Sequence, residues 1–232
     1  MLKMLRALSL ILLAAAIPAL AQNPTGTLQG SISDGVYTSP SGVFKIRVPV
    51  LAELGGGVSD TENVVTFHDN FGLQITVGAF RQDATLKWEL STRGNKDYLI
   101  YFLGTYVLPD FKRFCAGTHV ESAGYSADFL DGTLFAYILL PGGSMFDTPP
   151  VFGPPKPPAV AKRGNAIFTR NGYTFVISTE LSERVTEGDQ YKKTVKEEDQ
   201  ILRDRLAEVA SKMEFVKQEP AKTPANAAST TP

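Results

Sequence analysis

The stretch Ala166-Ile-Phe-Thr-Arg-Asn-Gly-Tyr-Thr-Phe-Val-Ile-Ser-Thr179 decides how this chain folds. Asn171-Gly172 tolerates positive φ at both central positions of a two-residue turn and stands between two β-rich runs, so it predicts a hairpin. The loop length then sets the register: Arg170 opposite Tyr173, Thr169 opposite Thr174, Phe168 opposite Phe175, Ile167 opposite Val176 and Ala166 opposite Ile177. Paired residues share a face. Ala166, Phe168, Tyr173, Phe175 and Ile177 lie on one side, and Ile167, Thr169, Thr174 and Val176 on the other. Both sides are largely apolar. A hairpin with one wet face alternates apolar and polar residues, so this one is expected to be covered above and below, most economically by helices. The fold class that follows is α+β, an antiparallel sheet with helices packed on both faces, an α/β/α sandwich.

Outward from the hairpin, residues 145–162 hold six of the chain's fifteen prolines and read as an extended, polyproline-like loop. Two roles suit it, a docking arm for a partner or a stiff connector. Residues 118–140 have strand character, with Asp131-Gly132 offering a tight turn between residues 125–130 and 133–140. From Asp83 the apolar period changes from two to about 3.6. Asp83 is positioned to cap a short helical turn holding Trp88 and Leu90, and residues 96–107 follow as an apolar helix stopped before Pro109, with Leu99, Phe102, Leu103 and Tyr106 on one face. Residues 63–68 and 73–80 form a second hairpin around Asp69-Asn-Phe-Gly72. Phe44, Ile46 and Val48 alternate with Lys45 and Arg47, which predicts a half-buried edge strand ending at Pro49.

Toward the C-terminus, Tyr191, Val195, Leu202, Leu206, Val209 and Met213 recur at helical spacings among Lys, Glu, Asp and Arg, an amphipathic helix for the sheet. Phe215 and Val216 add a short strand, and residues 217–232, rich in Ala, Thr and Pro, have too little apolar content to fold. At the other end, residues 1–21 have the form of a secretory signal peptide: Lys3 and Arg6, an apolar run from Leu8 to Ile17, then Pro18 and Ala19-Leu-Ala21 before cleavage. The run is short of the roughly 20 residues that span a bilayer, and no cysteine follows it for lipid attachment. The expectation is a periplasmic or secreted bacterial protein with no membrane span after cleavage, starting at Gln22 with a flexible lead over residues 22–36.

The 232 residues carry a net charge of -1, and removing Lys3 and Arg6 from the 23 basic residues leaves 21 against 24 acidic ones. With no basic stripe, nucleic acid is not an expected partner. Gly55-Gly-Gly57 lacks the third glycine of a dinucleotide loop and the Lys-Ser/Thr of a phosphate loop, so no cofactor is indicated. Pro141-Gly-Gly-Ser144-Met-Phe146 has the outline of a nucleophile elbow, but Phe146 stands where a glycine is required.

Four residues invite chemistry. Cys115 and His119 are spaced like a thiol and its base or like two metal ligands, although Phe111 and Phe114 give Cys115 apolar surroundings that blunt a thiolate. His68 and Asp69 have the residue types of a base and its orienting carboxylate, although neighbours on a strand point to opposite faces.

Gly42-Val-Phe-Lys-Ile-Arg-Val-Pro49, then a helix, paired strands, the Asn-Gly hairpin and an amphipathic helix closing on Met213-Glu-Phe215 resemble the PsbP-like family, whose founding members are extrinsic subunits of photosystem II. The resemblance spans residues 37–216 and implies an antiparallel sheet between helices. Leu51-Ala-Glu-Leu54 replaces the aromatic, usually Trp, expected shortly after the Pro49 position, and no binding residue transfers to a numbered position. Two functional readings result. One is an exported, non-enzymatic binding or accessory protein with a protein or small-molecule partner; the other is a hydrolase-like enzyme or metal-binding protein assembled from His68, Asp69, Cys115 and His119.

Overall fold

A computed structural model describes residues 28–147 and 157–217; the leader, the tail beyond residue 217 and the centre of the proline-rich segment lie outside the described residues. Asn171 (φ 52°) and Gly172 (φ 78°) form the expected turn. It joins β9 (Val160–Arg170) to β10 (Tyr173–Glu180) in the register read from the sequence, from Arg170 opposite Tyr173 to Ala166 opposite Ile177. These two strands occupy the middle of a seven-stranded antiparallel sheet. On one side lie β6 (Gln74–Arg81), β5 (Val64–His68) and β4 (Gly57–Asp60); on the other lie β8 (Thr133–Pro141) and β7 (His119–Ser126). A strand with neighbours on both edges and layers on both faces has to be apolar throughout, which is why the hairpin does not alternate.

The first face of the sheet carries helices. Ile167 and Val176 point into a core with Leu86, Tyr98, Leu99, Phe102, Val107 and Phe111. These residues come from α1 (Ala84–Arg93), α2 (Asn95–Phe102), the π-helical turn Leu103–Val107 and α3 (Leu108–Phe114). The Asp83 cap is present, its carboxylate accepting the Leu86 N–H at 2.8 Å. The helix does not stop before Pro109. The Leu108 N–H reaches back five residues to the Leu103 carbonyl, and Pro109 falls in the first turn of α3, where its missing N–H is not needed. The wider π turn therefore carries the chain past the proline.

The second face receives Ala166, Phe168, Phe175 and Ile177. It is covered by α5 (Val195–Ser211) and by a second antiparallel sheet of four strands, β1 (Ser31–Ser33), β2 (Val36–Thr38), β3 (Phe44–Arg47) and β11 (Met213–Phe215). Helices thus lie on both faces as the hairpin required, with the small sheet as an addition. Phe168 stacks on Phe175 at 5.3 Å, and Phe215 meets Phe175 edge-on at 5.1 Å, so the short final strand closes this core. A Thr194–Glu197 capping box starts α5, and Leu202, Leu206 and Val209 form its buried stripe.

Several boundaries differ from the sequence reading, each for a tertiary reason. β3 is interior rather than an edge, because β2 pairs one side and the distant β11 the other. Part of the supposed flexible lead forms β1 and the start of β2, turning through Asp34-Gly35. The Asp131-Gly132 turn belongs to a six-residue loop, residues 127–132, that joins Ser126 to Thr133. β9 begins at Val160, inside the segment assigned to the proline-rich loop. Tyr191 and Met213 flank α5 rather than belonging to it, and Val195 is exposed in its first turn.

Candidate functional site

The sheet holds the His68–Asp69 pair apart from the Cys115–His119 pair. His68 ends β5 and His119 begins β7, five strand positions apart, and strands are spaced by about 4.8 Å. The His68 ring lies over the Gly57 backbone. Asp69 turns away into the β5–β6 loop, where its Oδ1 accepts the N–H groups of Phe71 (2.8 Å) and Leu73 (2.9 Å) and is committed to shaping that loop. Cys115 is buried at the end of α3, where burial raises its thiol pKa above the ordinary value. His119 is exposed and its Nδ1 meets the Gly117 carbonyl at 2.8 Å. The Ser144 hydroxyl donates to Glu180 at 2.5 Å, and Arg163 pairs with the same carboxylate, so Ser144 anchors its loop. Among the described residues no three His, Cys, Asp or Glu side chains group as a metal site.

Two arrangements that no local pattern announces stand out. The first is a buried ionic cluster. Lys162, on β9, is fully buried, with Glu121 at 2.6 Å, Asp199 at 2.7 Å and Glu198 at 2.9 Å. Arg184 adds a second cation to Glu198 at 2.6 Å. Burial on its own pulls the Lys162 pKa down, yet its hydrogen bonds to Asp199, Glu121 and Glu198 prevail and hold it above the ordinary value. Glu198 occupies the position where the apolar stripe of α5 would continue, so the cluster joins the helix to the sheet and to β7.

The second is a cleft of about 740 Å³ between the end of β3, the β5–β6 loop and the C-terminal half of α5. Ile46, Val48, Leu73, Ile75 and Val209 give it an apolar floor. Its size is that of sites for small organic molecules. The loop wall is held in place. Gly72 takes φ +117°, and a Cβ there would lie 2.6 Å from the Ser182 hydroxyl, so only glycine lets the loop approach α4 (Glu183–Thr186) this closely. Next to it Phe71, at the rim, is 75 % exposed, and Leu51 and Leu54, which follow the β3 end in sequence, are exposed too.

The charges around the cleft are mostly matched to one another. Arg205 grips Glu183 through both guanidinium nitrogens. Burial, the largest single influence, raises the Glu183 pKa, but the hydrogen bond and charge of Arg205 together with a backbone N–H and the Ser182 hydroxyl outweigh it and keep the carboxyl below its usual range. Lys212 meets Glu208 at 2.5 Å, which likewise lowers the Glu208 pKa. Such a site suits binding through apolar contact, with few side chains free for proton transfer. The outward Phe71 in Asp69-Asn-Phe-Gly72 was its one local sign; the rest of the lining comes from segments up to 166 positions apart, Ile46 to Lys212.

No family model matches the chain, and no curated protein matches it. Solved structures similar to it include cyanobacterial PsbP of Synechocystis sp. PCC 6803, at 13% identity and a TM-score of 0.45 over 83% of this chain and 99% of that one. They also include the Ran-binding protein Mog1p of Saccharomyces cerevisiae, at 10% identity and a TM-score of 0.43 over 82% and 97%. A third is a Bacteroides thetaiotaomicron VPI-5482 protein, at 16% identity and a TM-score of 0.37 over 79% of this chain. The chain spans about half (49%) of that protein's length. The PsbP-like resemblance read from the order of elements has a PsbP among the similar solved structures.

Proposed function

We propose that this chain is an exported, non-enzymatic binding or accessory protein of the bacterial cell envelope, working through the cleft between β3, the β5–β6 loop and α5. The observation that carries the reading is the cleft itself. Its floor is apolar, the acidic and basic groups of α4 and α5 beside it neutralise one another, and an exposed aromatic ring stands at its rim. Exposed rings of this kind anchor ligands and partners because they bury a large apolar area at little cost in side-chain entropy. The sheet keeps the His68–Asp69 pair apart from the Cys115–His119 pair, so the four residues on which the hydrolase or metal reading rested do not form one site.

The test is titration of the purified chain with N-phenyl-1-naphthylamine, an uncharged fluorophore that brightens in apolar surroundings. Saturable binding is expected, and Phe71→Ser should raise the Kd about tenfold, the size of effect a rim aromatic anchor has. Because Phe71 is exposed, folding should be untouched, and an unchanged Kd in the folded variant removes the cleft from consideration. The cellular address rests on residues 1–21, whose positive start, apolar middle and small-residue end have the composition of a cleaved leader. Protein purified from its native host should begin at Gln22; an intact Met1 overturns the assignment. Among the described residues no helix is long and apolar enough to cross a membrane.

A further inference from the structure

The two edges of the seven-stranded sheet are finished differently. β4 has four residues, and its Asp60 carboxylate holds the incoming chain beside it by accepting the Gln29 N–H at 2.9 Å and the Gly30 N–H at 2.7 Å. β7 runs for eight residues and pairs on one side only, with β8. Alternate residues of an edge strand turn their N–H and C=O outward. Among the described residues no group takes those of β7. The devices that blunt an edge are missing as well, since the strand has no Lys, Arg or Pro. Its one carboxylate, Glu121, sits at the bulge between Val120 and Ser122 and reaches inward to Lys162. The covering layers lie inboard, α5 against β9 and β10 and α2 against β8 and β9, so neither blocks the outer side of β7.

This edge is complementary to itself. Ser122, Gly124 and Ser126 share the α5 face, opposite Tyr137, Phe135 and Thr133 of β8. Ser122 donates to Asp199 of α5 at 2.6 Å, and Arg203, one turn further along α5, donates to Ser126 at 3.3 Å. Arg203 lies over the Phe135 ring and, among the described residues, forms no ion pair. When two β7 strands run antiparallel about a two-fold axis at Gly124, Ser122 falls opposite Ser126 of the second copy and Ala123 opposite its Tyr125. That register sets Asp199 of each copy toward Arg203 of the other, and no like charges face each other between residues 122 and 126. A slip of one residue puts the second copy's α5 on the opposite face and separates these charges. We infer that β7 is the surface by which two copies of this chain pair, edge to edge and antiparallel, with Gly124 facing Gly124 of the second copy.

Sedimentation equilibrium of the purified chain from about 1 μM to about 1 mM should show the mean mass rising from one chain toward two. Gly124→Lys sets two ammonium groups against each other on the axis and should weaken pairing at least about tenfold, and Gly124→Glu should do the same with carboxylates. Gly124 is exposed and a Cβ there meets nothing within 4 Å, so both variants are expected to keep the wild-type thermal midpoint. An equimolar mixture of the two should regain association, because position 124 facing itself brings Lys opposite Glu. Arg203→Gln should weaken the dimer severalfold, as should added salt. Because that change leaves the strand untouched, it decides the case in which a Gly124 variant loses its midpoint. A chain that stays single up to about 1 mM, or a dimer indifferent to Gly124→Lys, overturns the proposal. A mixture no tighter than its separate components, or a dimer indifferent to Arg203→Gln, overturns the register.

Discussion

Lys162→Met is expected to lower the free energy of unfolding by about 3–5 kcal/mol, the range for removing one partner of a buried ion pair. The methionine fills nearly the same volume, so the loss is electrostatic rather than a cavity effect. Without the ammonium, Glu121, Glu198 and Asp199 crowd one another, with the Arg184 guanidinium paired to Glu198, and Glu198 is as buried as Lys162. Urea denaturation of the wild type and the variant measures the difference. Adding Glu121→Gln and Asp199→Asn to Lys162→Met removes the surplus negative charge and should recover at least half of the loss. A loss below about 1 kcal/mol in the single variant, on the scale of an exposed pair, would mean that water reaches the cluster.

Phe175→Ala should cost a similar amount, about 3–5 kcal/mol, through a different mechanism. Phe175 stacks on Phe168, takes Phe215 and Phe44 edge-on, and is buried at the junction of both sheets. Truncation removes its transfer energy and leaves a cavity that four neighbouring aromatic rings, including Tyr173, are too rigid to fill. The unfolding midpoint in urea reads the change, and a loss under about 1 kcal/mol would place the hairpin at the periphery of the fold. In this variant the loss should persist when the ionic cluster is altered, because the two sites share no partner and independent sites add.

The contrast between these residues shows what was legible. Phe175 announced its burial through its neighbours in sequence: Asn171-Gly172 dictated the pairing, the pairing dictated the faces, and two apolar faces dictated two covering layers. The amphipathic stripe of α5 and the Asp83 cap were local in the same sense. Lys162 gave no such notice. Residues 160–162 fall in the segment read as a proline-rich loop, yet β9 starts at Val160 and residues 161–165 are buried in the central strand. Its charges are tolerated because Glu198 arrives from 36 positions away on another element, a pairing no window of local pattern contains.

The sequence by itself therefore determined the hairpin, its register, the coverage of both faces and the amphipathic helix, since each depends on residues within a few positions of one another and on the fixed periods of strand and helix. Tertiary structure alone decided that β3 lies inside a second sheet, that Lys162 is a core residue, and that Arg47, Phe71 and Val209 border one cleft. Those outcomes depend on which distant segments meet, and the burial of a charge or the exposure of a ring is settled by the partner that arrives rather than by the residue that waits for it.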